Sequence, residues 1–141
     1  MNQPTIAPYL TFDGNCREAM QYYQQCLGGE LQLMPFDEAP EADQLPVAVQ
    51  AGIMHACLTK GPLTLMASDA NGQPVTPGST ITLSLNCTSA EEISTWFARL
   101  AEGGQVTMPL EETFWGATFG MLTDRFGMPW MLNFDHPPAQ Q

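Results

Sequence analysis

Residues 15–35 read NCREAMQYYQQCLGGELQLMP and residues 89–109 read SAEEISTWFARLAEGGQVTMP. The two stretches share one plan. A polar residue is followed three positions later by Glu (Asn15 and Glu18, Ser89 and Glu92). An aromatic pair comes next (Tyr22-Tyr23, Trp96-Phe97), then a glycine pair (Gly28-Gly29, Gly103-Gly104), then Met-Pro (Met34-Pro35, Met108-Pro109). A repeat at this spacing restricts the fold more than any single motif. A chain of 141 residues built this way is two copies of one small unit, each too small to bury a sheet face alone.

Each copy has the same grammar. Asn15-x-x-Glu18 and Ser89-x-x-Glu92 are capping-box patterns, which satisfy the unpaired N–H groups at a helix start. Apolar residues then recur at helical spacing. They are Cys16, Ala19, Met20, Tyr23, Cys26 and Leu27 in the first copy, and Ala90, Ile93, Phe97, Leu100 and Ala101 in the second. One stripe per helix predicts a helix lying on a sheet. Gly28 and Gly103 stand where a left-handed residue stops a helix.

Strands are predicted at 6–12 and 80–86 before the helices, and at 30–34 and 105–108 after them. The echo resumes in HACLTKGPLTLMASD (55–69) and GMLTDRFGMPWMLNFD (120–135). Both read as a hairpin turning at a basic residue and a glycine. The expected fold is therefore α+β: tandem βαβββ modules with eight mostly antiparallel strands and two helices. It is a single domain of two repeats, about 5–69 and 80–135, joined by a linker of about 70–79. The acidic, Pro-containing segment 36–50 is a loop.

The charge balance excludes some partners. The net charge is −11, and Arg17, Lys60, Arg99 and Arg125 are the only Lys and Arg residues. Nucleic acid and anionic membranes require clustered basic groups, so neither is an expected partner. No apolar run reaches the roughly 18–20 residues that span a bilayer. MNQPTIAPYL has neither the basic nor the apolar region of a signal peptide. Cys16, Cys26, Cys57 and Cys87 show no metal-ligand spacing. Free buried thiols in a cytoplasmic protein are the expectation.

The stretches PYLTFDGNCREAMQYY (8–23), LGGEL (27–31), HACLTKG with LMASD (55–69) and FWGATFGMLTDRFGMPWMLN (114–133) carry a resemblance. Together they resemble the vicinal oxygen chelate superfamily, which includes glyoxalase I, bleomycin-resistance proteins and extradiol dioxygenases, and within it the PhnB-like branch. The resemblance implies two cupped sheets around a cavity. It implies, in metal-using members, four inward ligands, mostly His, Glu or Gln, from the first and fourth strands of each half. Those positions align with Pro8 (or Ala7), Met66, Thr80 and Met131. None is a usual ligand for Mg, Mn, Fe, Ni or Zn, so no metal and no other cofactor is expected. The branch has also carried a methyltransferase label, but no glycine-rich loop for a nucleotide-like cofactor joins a parallel strand to a helix.

Several residues remain as candidates. His55 lies in a predicted strand, where it serves either as a general base or polar anchor, or as a structural histidine. Glu112, beside Glu111 and just before Phe114-Trp115, is the second catalytic candidate. Asp37, Glu38, Glu41 and Asp43 read as a solvated loop and His136 as a solvated tail. Tyr9, Met66, Trp115, Trp130 and Met131 are expected to line the pocket. No serine or cysteine has the setting of a nucleophile. Two functions compete. The first is a metal-independent protein that binds an apolar or aromatic small molecule, as bleomycin-resistance proteins bind theirs. The alternative is an enzyme, a lyase, isomerase or dioxygenase relative, using His55, Glu112 or a displaced metal. Open strand edges and apolar sheet surface predict an isologous homodimer.

Overall fold

The computed structural model describes residues 4–38, 40, 42–45, 50–70 and 73–137. Parts of the expected 36–50 loop, Glu41 among them, and of the linker lie outside the described residues. The chain divides into two compact units, Met1–Thr76 and Pro77–Gln141.

The first unit runs β1 (Tyr9–Phe12), α1 (Cys16–Leu27), β2 (Glu30–Pro35), β3 (Ile53–Lys60) and β4 (Leu63–Asp69). The second runs β5 (Leu83–Asn86), α2 (Ala90–Ala101), β6 (Gln105–Glu112), β7 (Ala117–Thr123) and β8 (Pro129–Asp135). Each unit is a four-stranded sheet, ordered β1-β4-β3-β2 and β5-β8-β7-β6. The first strand of each unit pairs parallel with the fourth, and all other pairs are antiparallel.

One face of each sheet carries the helix. In α1 the six residues of the expected stripe are all buried. They pack in the core with Leu10, Phe12, Ala56, Leu58, Leu65 and Ala67. Fully burying a side chain such as Met20 contributes about 1.5–3 kcal/mol. In α2 the buried set is Ile93, Trp96, Phe97 and Leu100, while Ala90 is exposed and Ala101 is partly so.

The two helices begin differently. Ser89 accepts from the Glu92 N–H at 3.0 Å, and the Glu92 carboxylate accepts from the N–H of Thr88, one residue before the cap, at 2.8 Å, a capping box shifted by one residue on its return bond. Asn15 makes no such bond. The buried carboxylate of Asp69, at the end of β4, accepts from the Cys16 N–H at 2.9 Å and from the Ile53 N–H at 2.8 Å. A side chain 53 positions away thus takes over the N-terminus of α1.

The helix ends match. Gly28, directly after α1, and Gly103, two residues after α2, have φ of 83° and 78°, which favour glycine. Gly28 is extended in ψ, at −169°, where a left-handed helical residue was expected. Over each lies the basic residue of the neighbouring hairpin. The Lys60 ammonium donates to the Leu27 carbonyl at 2.8 Å, and Arg125 Nε donates to the Glu102 carbonyl at 3.2 Å. These bonds satisfy last-turn carbonyls and favour the negative end of the helix dipole. The second glycine of each pair serves another need. A Cβ on Gly29 would stand 2.5 Å from the Thr59 carbonyl oxygen, and one on Gly104 would strike the Thr123 carbonyl. The strand leaving the helix runs that close to its neighbour.

All four cysteines are free, and only Cys57 is not buried. Burial, then the Asp69 carboxylate, pushes the Cys16 thiol up to about 12. Burial, then Glu92, pushes Cys87 up to about 12. An unfolded chain ionises these thiols from about pH 9, so the folded state holds more protons between about pH 9 and 12. Their contribution to stability is complete below pH 9 and is lost as the pH rises toward 12. The urea midpoint is expected to fall across that range. At pH 8 a thiol reagent is expected to label one cysteine quickly, and Cys57→Ser is expected to abolish that phase. Rapid labelling of Cys16 or Cys87 in the native protein contradicts this reading.

Candidate functional site

The face of each sheet away from its helix holds the candidate site. In the first unit, alternation places Leu10, Ala56, Leu58, Leu65 and Ala67 under α1, and Tyr9, Cys57 and Met66 on the other face. The register joins them in one row across four strands: Gln32, Cys57, Met66 and Tyr9. Met34 pairs with His55 beside that row. Tyr9 and Met34 are 49% and 48% exposed, unusual openness for large apolar groups on strands.

Tyr9 and His55 meet on this face. The phenol oxygen and the His55 Nδ1 share a hydrogen bond of 3.0 Å, and the ring centroids are 5.7 Å apart. The imidazole tautomer decides which group donates. The pair sets a group able to exchange a proton among thioethers and a thiol. His55 was a candidate on its own and Tyr9 a candidate lining residue. Their contact depends on the order in which strands pair, which the residue pattern alone does not reveal.

The second unit offers the corresponding row: Met108, Met121, Met131 and Ser84. Glu111, Phe119, Asn133 and Asn86 form the row beside it. Met131 thus lies on the face away from the helix. Trp130 is a correction. It is 4% exposed, pairs with Leu83 and packs on the helix side, where its Nε1 donates to the Asp124 carboxylate at 2.8 Å. It is a core residue and does not line the open face.

Two further expectations change. Thr80 precedes β5, and Ser84 is the residue opposite Met131. In the first unit the residue opposite Met66 is Tyr9, while the Pro8 carbonyl accepts from the Met66 N–H at 3.2 Å. The pairs Tyr9–Met66 and Ser84–Met131 offer no carboxylate, imidazole or thiolate, so they do not fit the divalent metal that the resemblance implies. Among the described residues, no three His, Cys, Asp or Glu side chains gather closely enough to hold a metal ion.

Glu112 ends β6, opposite Thr118, and is exposed, as is Glu111. β6 continues through Pro109, beyond the expected strand 105–108, so these carboxylates stand on an edge strand. Beyond them the turn Thr113–Ala117 is tightly bonded. Thr113 N–H donates to the Ala117 carbonyl at 2.7 Å, and the Thr113 hydroxyl accepts from the Ala117 N–H at 3.1 Å. The turn holds Phe114 (96% exposed) and Trp115 (59% exposed) edge to face, with centroids 5.0 Å apart. His136, expected to be a solvated tail residue, is anchored. Its Nε2 lies 2.7 Å from the Thr118 hydroxyl, and its N–H donates to the Gly116 carbonyl at 2.9 Å.

Paired βαβββ units with helices on one sheet face define a class, the glyoxalase/bleomycin-resistance/dioxygenase fold. A domain of that description from Frankia sp. superposes on this chain with a TM-score of 0.70, covering 99% of this chain and 96% of its own, at 14% identity. That likeness concerns the fold alone. The chain belongs to the PhnB-like family whose model, described as 3-demethylubiquinone-9 3-methyltransferase, matches residues 4–133. Protein PA1353 from Pseudomonas aeruginosa is similar at 47% identity and a TM-score of 0.85, over 96% of this chain and all of that one. Protein YjdN of Escherichia coli K12 is 39% identical, over 91% of this chain and 93% of its own.

The family description includes methyl transfer. The links from first strand to helix are Asp13-Gly14-Asn15 and Cys87-Thr88-Ser89. Neither is the glycine-rich turn on which a nucleotide-like methyl donor rests, so the residues here do not fit such a cofactor. No helix among the described residues is long and apolar enough to cross a membrane.

Proposed function

We propose that this protein binds an apolar or aromatic small molecule on its uncovered sheet faces without a divalent metal. In this reading it is cytoplasmic and works as an isologous homodimer. The observation that carries the reading is the composition of those faces. Tyr9, Met34, Cys57 and Met66 in one unit, and Met108, Phe119, Met121 and Met131 in the other, are adaptable or flat groups. They lie beside polar groups that can orient a ligand: Tyr9 with His55 and Gln32 in one unit, Ser84, Asn86, Glu111 and Asn133 in the other. Trp115 adds a flat ring at an exposed turn.

The test is a titration with planar aromatic compounds, followed by tryptophan fluorescence, in EDTA and without it. Saturable binding that EDTA leaves unchanged is the expected result, as is a melting temperature unchanged by the chelator. A resident metal at 100 times its dissociation constant would add about 2.7 kcal/mol, which a chelator would remove. Tightly held Zn, Ni, Mn or Fe at one equivalent, or no saturable binding, overturns the proposal. Sedimentation at low micromolar concentration as a dimer is expected alongside it.

The Tyr9–His55 contact favours the enzyme as a second reading. The two groups are at the distance at which a proton passes between a side chain and its partner. In that case His55→Gln abolishes turnover of a bound compound and leaves its affinity nearly unchanged. Under the binding reading no compound in the panel is converted.

A further inference from the structure

The open face of the second unit carries an arrangement that the ligand reading uses only for its apolar, adaptable surface. Met108 is the direct cross-strand partner of Met121, and Met121 of Met131. Neighbouring strands lie about 4.8 Å apart, and each thioether swings on three rotatable bonds. Leu122, Trp130 and Leu132, the sequence neighbours of Met121 and Met131, are buried on the helix side, so these two methionines share the other face. Met108 joins them as the register partner of Met121, between two irregularities in the pairing of β6 with β7. Met108 is 45% exposed, and Met121 and Met131 are partly so. The sulfurs are therefore not sealed in a core.

We propose that the Met108–Met121–Met131 row binds one soft monovalent cation, copper(I) or silver(I). Thioethers select such ions and hold divalent oxygen-seeking metals poorly. The surroundings suit a positive charge. The next row on the same face holds Phe119, whose ring attracts cations, and the Glu111 carboxylate opposite it. The two arginines of this unit stand elsewhere. Arg99 is on α2, and Arg125 is turned to the carbonyl of Glu102. The matching row of the first unit, Gln32, Cys57, Met66 and Tyr9, has only two sulfurs, so the three-thioether row belongs to the second unit. A thioether has no proton to lose, so binding here does not vary with pH, unlike binding at cysteine or histidine ligands. This site does not rest on the ligand reading and stands or falls separately from it.

The test uses the full chain carrying Cys57→Ser, which removes the thiol that is not buried, with methionine methyl groups labelled with carbon-13. Silver(I) nitrate is the probe, because it is stable to air. The methyl resonances of Met108, Met121 and Met131 are expected to shift together and saturate at one silver per chain. Affinity is expected to stay constant across the range in which histidine titrates. Met121→Leu is expected to weaken binding by at least about tenfold, since even outer-sphere changes at metal sites bring such losses. Met108→Leu, at an exposed position that cannot disturb the core, is expected to weaken it likewise and to decide the matter if Met121→Leu unfolds. Three methyl signals that stay still at one equivalent, or unchanged affinity in Met108→Leu, overturn the proposal.

Discussion

Trp130→Ala is expected to lower the unfolding free energy by about 3–5 kcal/mol, whereas Trp115→Ala changes it by less than about 0.5 kcal/mol. The two residues separate the core from the open surface. Trp130 is 4% exposed, and its removal leaves a cavity under α2 and deprives the Asp124 carboxylate of a donor. Trp115 is 59% exposed on a turn that main-chain and Thr113 bonds hold without it. The same Trp115→Ala change is expected to weaken binding of a planar aromatic compound, because a stacked ring contributes about 0.5–1.5 kcal/mol beyond its buried area. Urea midpoints and ligand titrations of both variants make the comparison. Equal destabilisation by the two substitutions would place Trp115 in the core and remove it from the ligand surface.

Asp69→Ala is expected to cost about 2–6 kcal/mol. Its carboxylate accepts from two buried main-chain N–H groups, and each one left unpaired costs about 1–3 kcal/mol. Against a total stability of about 5–15 kcal/mol, that threatens the first unit outright. Asp69→Asn keeps one acceptor oxygen, so it is expected to recover part of the loss. Thermal melts followed by circular dichroism read both. A melting point for Asp69→Ala within a degree or two of the parent would show that the carboxylate does not hold α1 to the sheet.

Particular residues show why some of this was legible and some was not. The α1 stripe was readable to the residue because a helix on a sheet has a sharp period of 3.6. Trp130 was misassigned because Trp130, Met131 and Leu132 are consecutive apolar residues. Such a run has no alternation to show which side faces the helix. Asn15 has the residue type of a cap, but the true acceptor is Asp69, brought there by folding alone. The expected strand 105–108 stopped one residue short of Pro109. β6 runs through it because an edge strand has a side on which a missing N–H goes unnoticed. The Tyr9–His55 contact requires β1 to pair beside β4, and nothing local in either residue announces that pairing.

The two units also work as a comparison of how freely each joint can change. The helix starts have been solved twice with different chemistry, once by a distant carboxylate and once by a local capping box. The helix ends have been solved once. A glycine, a second glycine pressed against a neighbouring carbonyl, and a basic side chain lying over the first recur in both units. A joint made by a side chain reaching an open N–H admits substitutes. One made where two backbones nearly touch admits none, because any added atom collides. Variation during divergence is thus channelled toward the start of each helix and away from its end.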